Sequence, residues 1–354
     1  MKILVRATNW VGDAVMNLPA LEAIVRHHQG AEVHVLAGCR VAPIFQAVDG
    51  IAGVMPYVGV RRRGPGCSGD LTFKGAVRLL RDRGFDKAFL FQNAFQAALL
   101  AFAAGIPVRV GYATDCRGLL LTSPVRITPE VRRLHHVEYY VNMVRAEGVS
   151  TDGLGIPTLE VPARYRERAN ELVARALGRS GRGGYLAVCP GAAFGSAKRW
   201  FPDRFARVVG HVWETHATPS VLLGSETERW ITSSIAGTTS GKCVDLAGRT
   251  SLLEAAGVLA GARAVLSNDT GLMHLGAAVG PAVVAIFGST DPAATRPLGD
   301  KHVIIASGVE CAPCLERTCA KRTYDCMQAI GVDDVCEALD RVMATDERRL
   351  EVRG

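Results

Sequence analysis

Residues 2–38 read KILVRATNWVGDAVMNLPALEAIVRHHQGAEVHVLAG, and the order of their patterns decides the fold class. An apolar run at 2–6 opens directly into the turn ATNWVGD, a helical pattern follows over about 14–28, and a second apolar run at 32–38 ends in glycine. Strand, helix and strand in so short a stretch make a βαβ unit, and such units build parallel sheets. The alternation continues with a helix at 40–48, a strand at 53–58, an amphipathic helix at 71–84, a strand at 86–92, a helix at 94–105 and a strand at 106–112. It breaks after a helix at 137–148, in the segment 149–163, VSTDGLGIPTLEVPA, where the domain linker is expected. A second series then places helices at 164–177, 202–216, 226–237 and 251–262 among strands at 185–190, 219–225, 263–269 and 281–289. A charged helix from about 332 to 352 closes the chain. Two doubly wound α/β domains in series are the architecture this order supports.

Composition agrees with that reading. A chain of 354 residues is long for one hydrophobic core, and 48% apolar residues supply material for two. Aromatics at 6% against 38 glycines favour tight strand–helix turns over an all-β sandwich. The net charge of +7 and pI near 9.0 permit an anionic partner, whether nucleic acid, nucleotide sugar or membrane surface, without choosing among them. The apolar run before Arg6 is only three residues long, and the longest apolar stretch, 94–108, is too short to span a bilayer. The chain is therefore expected to be cytoplasmic, where ten cysteines stand for free thiols or a metal site before disulfides.

In open α/β sheets ligands collect beyond the carboxyl ends of the strands. That rule selects four loops. In NWVGDAVMNLP, Asp13 stands where a helix starts, either capping it or serving as a general base. In CPGAAFGSAKRWFP (189–202), small residues leave backbone N–H groups open to phosphate, and Lys198 and Arg199 add charge; a plain surface loop is the other reading. In LLGSETER (222–229), acidic residues after a strand suit ribose hydroxyls or a helix N-terminus equally. In SNDTGLMHLGAAVG (267–280), Asp269, Thr270 and Gly271 sit where a strand hands over to a helix, whose positive end favours an anion. His274 lies one turn further on, as a ligand contact or a partly buried structural histidine. Apart from these, Cys311, Cys314, Cys319 and Cys326 form C-x2-C-x4-C-x6-C, either a zinc site of unusual spacing or a packed thiol cluster.

Taken together and in this order, NWVGDAVMNLPAL, PGAAFGSAKRWF, SNDTGLMHLGAAVGPAVVAIFGSTDP and CAPCLERTCAKRTYDCM resemble the bacterial lipopolysaccharide heptosyltransferases of glycosyltransferase family nine. The opening and the cysteine-bearing tail most resemble the members that add the second inner-core heptose. The resemblance runs nearly the whole length and implies the GT-B fold, two doubly wound Rossmann-like domains facing each other across a cleft. It implies an acceptor-binding domain over 1–155 and an ADP-heptose-binding domain over 156–354, with the last helix packing back on the first. Carried over residue by residue, Asp13 is the base and Lys198 meets the donor diphosphate. Asp269, Thr270, Gly271 and His274 cradle pyrophosphate and sugar, and Glu228, rather than Glu226, holds the ribose.

The implied donor is ADP-L-glycero-D-manno-heptose and the implied acceptor a core oligosaccharide on lipid A, joined with inversion. No Asp-x-Asp pair is suitably placed to hold a divalent ion, so no cofactor or catalytic metal is expected. The resemblance also accounts for the cysteine tail without a metal. Arg61, Arg62 and Arg63 read either as contacts to acceptor phosphates or as a solvated charge run. Membrane contact is expected to be peripheral, at the cytoplasmic face of the inner membrane, and nucleic acid is not an expected partner. The alternatives are a family-nine enzyme using a different core acceptor and, less compatible with the single glycine in RATNWVGD, a dinucleotide-dependent oxidoreductase. A zinc-stabilised nucleic-acid-binding protein lacks the aromatic stacking surface it would need.

Overall fold

Strands β1 (Lys2–Arg6) and β7 (Leu186–Cys189) are buried along nearly their whole length, as are β10 (Ala264–Asn268) and β11 (Ala282–Phe287). Apolar runs without alternation are what a parallel sheet needs when helices cover both of its faces. The computed structural model describes residues 1–58, 72–178 and 184–351, which divide into two compact units between Glu160 and Val161.

The first unit adds β2 (Glu32–Gly38), β3 (Ile51–Tyr57), β4 (Lys87–Leu90), β5 (Val108–Tyr112) and β6 (Ser123–Val125). Its order is β3-β2-β1-β4-β5-β6, all parallel, with Ile3 paired to Val33 on one side and Lys87 on the other. The second adds β8 (Ser220–Leu222), β9 (Cys243–Asp245) and β12 (Val303–Ala306) in the order β12-β11-β10-β7-β8-β9, again all parallel. Counted within its own unit, each sheet has the same order, 3-2-1-4-5-6, the Rossmann arrangement. The order reverses between β1 and β4 in one sheet and between β7 and β10 in the other. Loops leaving those strands flank the natural ligand crevice of each unit.

The structure departs from the sequence expectations at several elements. The helix expected over 14–28 is two, Val11–Met16 and Leu18–His27, because the second restarts on Pro19 and the intervening Asn17 is fully buried, accepting from the Thr8 hydroxyl at 3.0 Å. The helix expected at 226–237 begins as a 3-10 turn, Glu226–Glu228, before Arg229–Thr238. The short strands β6, β9 and β12 were not expected; three or four residues at a sheet edge carry too little periodicity to be read.

The final helix, Val332–Glu351, packs within the second unit. Its buried Val335, Leu339 and Met343, spaced by four residues, join the second unit's core over β10, β11 and β12 and against the helix Pro202–His216. Asp340 on the same helix accepts from His211 at 3.0 Å and His216 at 2.7 Å. No described helix is long and apolar enough to cross a membrane.

Candidate active site

One asparagine shapes the loop that leaves β7. Asn268, fully buried at the end of β10, donates to the Pro190 carbonyl at 2.7 Å and accepts from the Trp200 N–H at 3.1 Å, closing the loop at both ends. Within it, the turn Ser196–Lys198 places the Lys198 ammonium 2.6 Å from Asp269 Oδ2 and 4.8 Å from the centre of the Phe194 ring. Asp269 is 4% exposed, and the same oxygen accepts from the Thr290 hydroxyl at 2.5 Å. A buried carboxylate is tolerable only when paired. Asp269 thus holds both Lys198 and Thr290. Immediately after it runs the helix Gly271–Val279, whose N-cap residue Thr270 makes no side-chain capping bond. The first amides of such a helix and its dipole favour negative charge. His274 is buried in the second turn.

Glu228 takes the helix N-terminus reading of the acidic loop. It closes a capping box: Oε2 accepts from the Ser225 N–H at 2.9 Å and the Ser225 hydroxyl at 2.7 Å. Its other oxygen, Oε1, is buried and has no hydrogen-bond partner among the described residues. Gly191 in the β7 loop lies against that carboxylate so closely that a Cβ there would fall 2.2 Å from Oε1. A buried acceptor left alone costs about 1–3 kcal/mol, which a ligand hydroxyl donating to it would recover. Glu226, by contrast, is exposed on the surface.

In the first unit, Asp13 follows β1 on the helix Val11–Met16. The N-cap there is Trp10, which makes no side-chain capping bond; Asp13 is the third helical residue, in the first turn, and is not the cap. Its carboxylate, about a quarter exposed, is 3.7 Å from His136 Nδ1, which is itself buried without a hydrogen bond among the described residues. Tyr140, also on the helix His136–Arg145, has its phenol pushed well above the usual range, by burial first and then by the Asp13 charge.

Some expected residues fall elsewhere. Arg61, Arg62 and Arg63 lie outside the described residues. Cys311, Cys314, Cys319 and Cys326 are free thiols, and among the described residues no group of three or more His, Cys, Asp or Glu is arranged to hold a metal ion. Cys326 is buried, 3.2 Å from where a Cβ on Gly288 would sit, whereas Cys314 is exposed. Cys39 is disulfide-bonded, a departure from the expectation of free thiols. Thr290, His136 and Phe194 escaped the sequence reading. Thr290 and Phe194 had a signal, since each follows a strand and the carboxyl-end rule applies to every strand; His136 had none.

Two Rossmann sheets of equal strand order, with a cation, a buried anchor and a helix N-terminus gathered after the strands flanking a switch point, define a glycosyltransferase of the two-domain GT-B class. The sequence model for glycosyltransferase family 9 (heptosyltransferase) matches residues 76–325, and the chain belongs to that family. It is 30% identical over 314 residues to lipopolysaccharide heptosyltransferase 2 of Salmonella typhimurium, covering 86% of this chain and 88% of the relative. The Escherichia coli protein of the same name is 29% identical over the same shares. The solved structure of E. coli ADP-heptose LPS heptosyltransferase II matches with a TM-score of 0.81 and 25% identity, over 98% of this chain and 100% of that one. The oxidoreductase alternative is replaced by this membership.

Proposed function

We propose that this chain transfers L-glycero-D-manno-heptose from ADP-heptose to the first heptose of a lipid A-linked inner core, with inversion at the anomeric carbon. The reading rests above all on the Lys198–Asp269–Thr290 assembly at the start of the helix Gly271–Val279. In this scheme the second unit binds the donor. Lys198 and the amides at 270–271 meet the diphosphate, Glu228 takes ribose hydroxyls on its unpartnered oxygen, and His274 supports the sugar end. The first unit binds the acceptor, with Arg61, Arg62 and Arg63 meeting its phosphates.

Transfer is one displacement. The acceptor oxygen forms a bond to the anomeric carbon as the bond from that carbon to the diphosphate breaks. Asp13 takes the acceptor's proton, and ADP leaves with the electron pair. Negative charge grows on the departing diphosphate, so contacts from Lys198 and the helix amides are stronger in the transition state than before it, which is the condition for accelerating the step. A lipid-linked acceptor places this work at the cytoplasmic face of the inner membrane.

The test is transfer from ADP-heptose to two defined lipid A cores, one bearing a single heptose and one bearing none, with and without EDTA. Product on the one-heptose core, undiminished by chelator, is expected. Product on the heptose-free core alone would reassign the acceptor. Asp13→Asn should bind ADP as the wild type does and lose about 10²–10⁴ in turnover; turnover within a few-fold of wild type would remove Asp13 as the base.

A further inference from the structure

The segment carrying the four cysteines lies directly on the β7 loop. Gly195 has no room for a side chain, since a Cβ there would fall 2.1 Å from the Arg317 carbonyl oxygen. That oxygen accepts from the Ala197 N–H at 3.1 Å. Two residues earlier, the Leu315 N–H donates to the Ser289 carbonyl at 2.7 Å, in the loop that presents Thr290. The Ser196 and Tyr324 hydroxyls are 3.2 Å apart. The backbone at Arg317 is therefore tied on both sides to the loops that hold Lys198 and Thr290.

The side chain of Arg317 follows from that anchoring. Its guanidinium carbon lies 5.1 Å from the centre of the Phe194 ring, the same ring that carries the Lys198 ammonium at 4.8 Å. Two cations held against one aromatic ring repel each other, so the arrangement suits an anion that both can reach. Lys198 already has a counter-ion in Asp269. Arg317 is exposed and makes no ion pair with any described residue. A diphosphate carries more than one negative charge, and Lys198, with its charge partly met by Asp269, answers it incompletely. A guanidinium presents a planar pair of donors that matches two phosphate oxygens.

We propose that Arg317 is a second donor-binding cation, contacting the diphosphate of the nucleotide sugar from the cysteine-bearing segment while Phe194 spaces it from Lys198. This deepens the function proposed above and rests on its donor assignment. It also gives that segment a task that needs no metal: its packing on Gly195 and Ser289 sets the position of Arg317.

The test compares full-length wild type, Arg317→Ala and Arg317→Lys for ADP affinity by calorimetry and for inhibition by adenosine, which lacks the diphosphate. Arg317→Ala is expected to weaken ADP about 10-fold or more and to raise the donor KM similarly, leaving adenosine inhibition and acceptor KM unchanged. Arg317→Lys should recover part of the loss. ADP affinity within twofold of wild type in Arg317→Ala overturns the proposal. So does a parallel loss of ADP and adenosine, which would mark a role in holding the loop. If the wild type binds UDP or GDP in preference to ADP, the donor assignment falls instead, and Arg317 is judged by the same criteria with that nucleotide against its own nucleoside.

Discussion

At the scale of single residues, the proposed donor site draws on groups that also hold the fold. Glu228 caps its turn with one oxygen and leaves the other unpartnered against Gly191. Gly191→Ala should push the carboxylate away, losing both functions. Stability is expected to fall by about 1 kcal/mol, the worth of a cap, and ADP affinity by about 10-fold. Because the damage passes through Glu228, the double variant Gly191→Ala/Glu228→Ala should bind ADP no worse than Glu228→Ala alone. Calorimetry on the three proteins checks this, and additive losses would separate the two residues. Lys198 and Asp269 show the limit of reading residues from sequence. Both stood out as loop residues after strands, but their 2.6 Å contact spans 71 positions and was invisible before folding.

At the scale of elements, central strands and long amphipathic helices were legible because burial on both faces, or on one stripe, leaves a periodic mark. The failures lay chiefly at the sheet edges. Edge strands such as β9 are short enough that pairing with a neighbour, rather than their own pattern, makes them strands. The last helix displayed its apolar stripe plainly, yet nothing in the stripe says which surface it covers. Leu339 lies at the centre of that contact and is fully buried. Leu339→Ala should therefore destabilise the second unit by about 2–5 kcal/mol, the transfer and cavity cost of a core leucine. A denaturant melt followed by a probe in that unit measures it, and a change below 1 kcal/mol would show the helix to be weakly held.

For the whole molecule, two units mean that unfolding need not be a single transition, and pH should act on them unequally. His302, beside β12, has its pKa lowered to about 4, by burial first and by Lys301 second. Its Nδ1 accepts from the Val283 N–H at 3.1 Å, a bond that protonation of that nitrogen would abolish. An unfolded histidine titrates near 6.5. The unfolded chain therefore binds this proton first as pH falls. The stabilising contribution is complete above about 6.5 and is lost progressively as pH drops through the window toward 4. Between pH 7 and 5 the second unit should lose roughly 2 kcal/mol from this group, and His302→Gln should flatten the slope. Melting curves across that range decide it; an unchanged slope in the variant would place the acid sensitivity elsewhere.

The amino-acid sequence by itself determined the class of the fold and the loops that matter. Strand and helix periods are local, and parallel sheets direct chemistry to the carboxyl ends of their strands. Tertiary structure alone decided which contacts each loop residue makes there. Asp269 became an anchor through Lys198 and Thr290, Asp13 a helix residue facing His136, and the cysteine segment a support pressed on Gly195. Those roles depend on contacts between residues distant in the chain, and only the packed sheets and helices bring them within hydrogen-bonding reach.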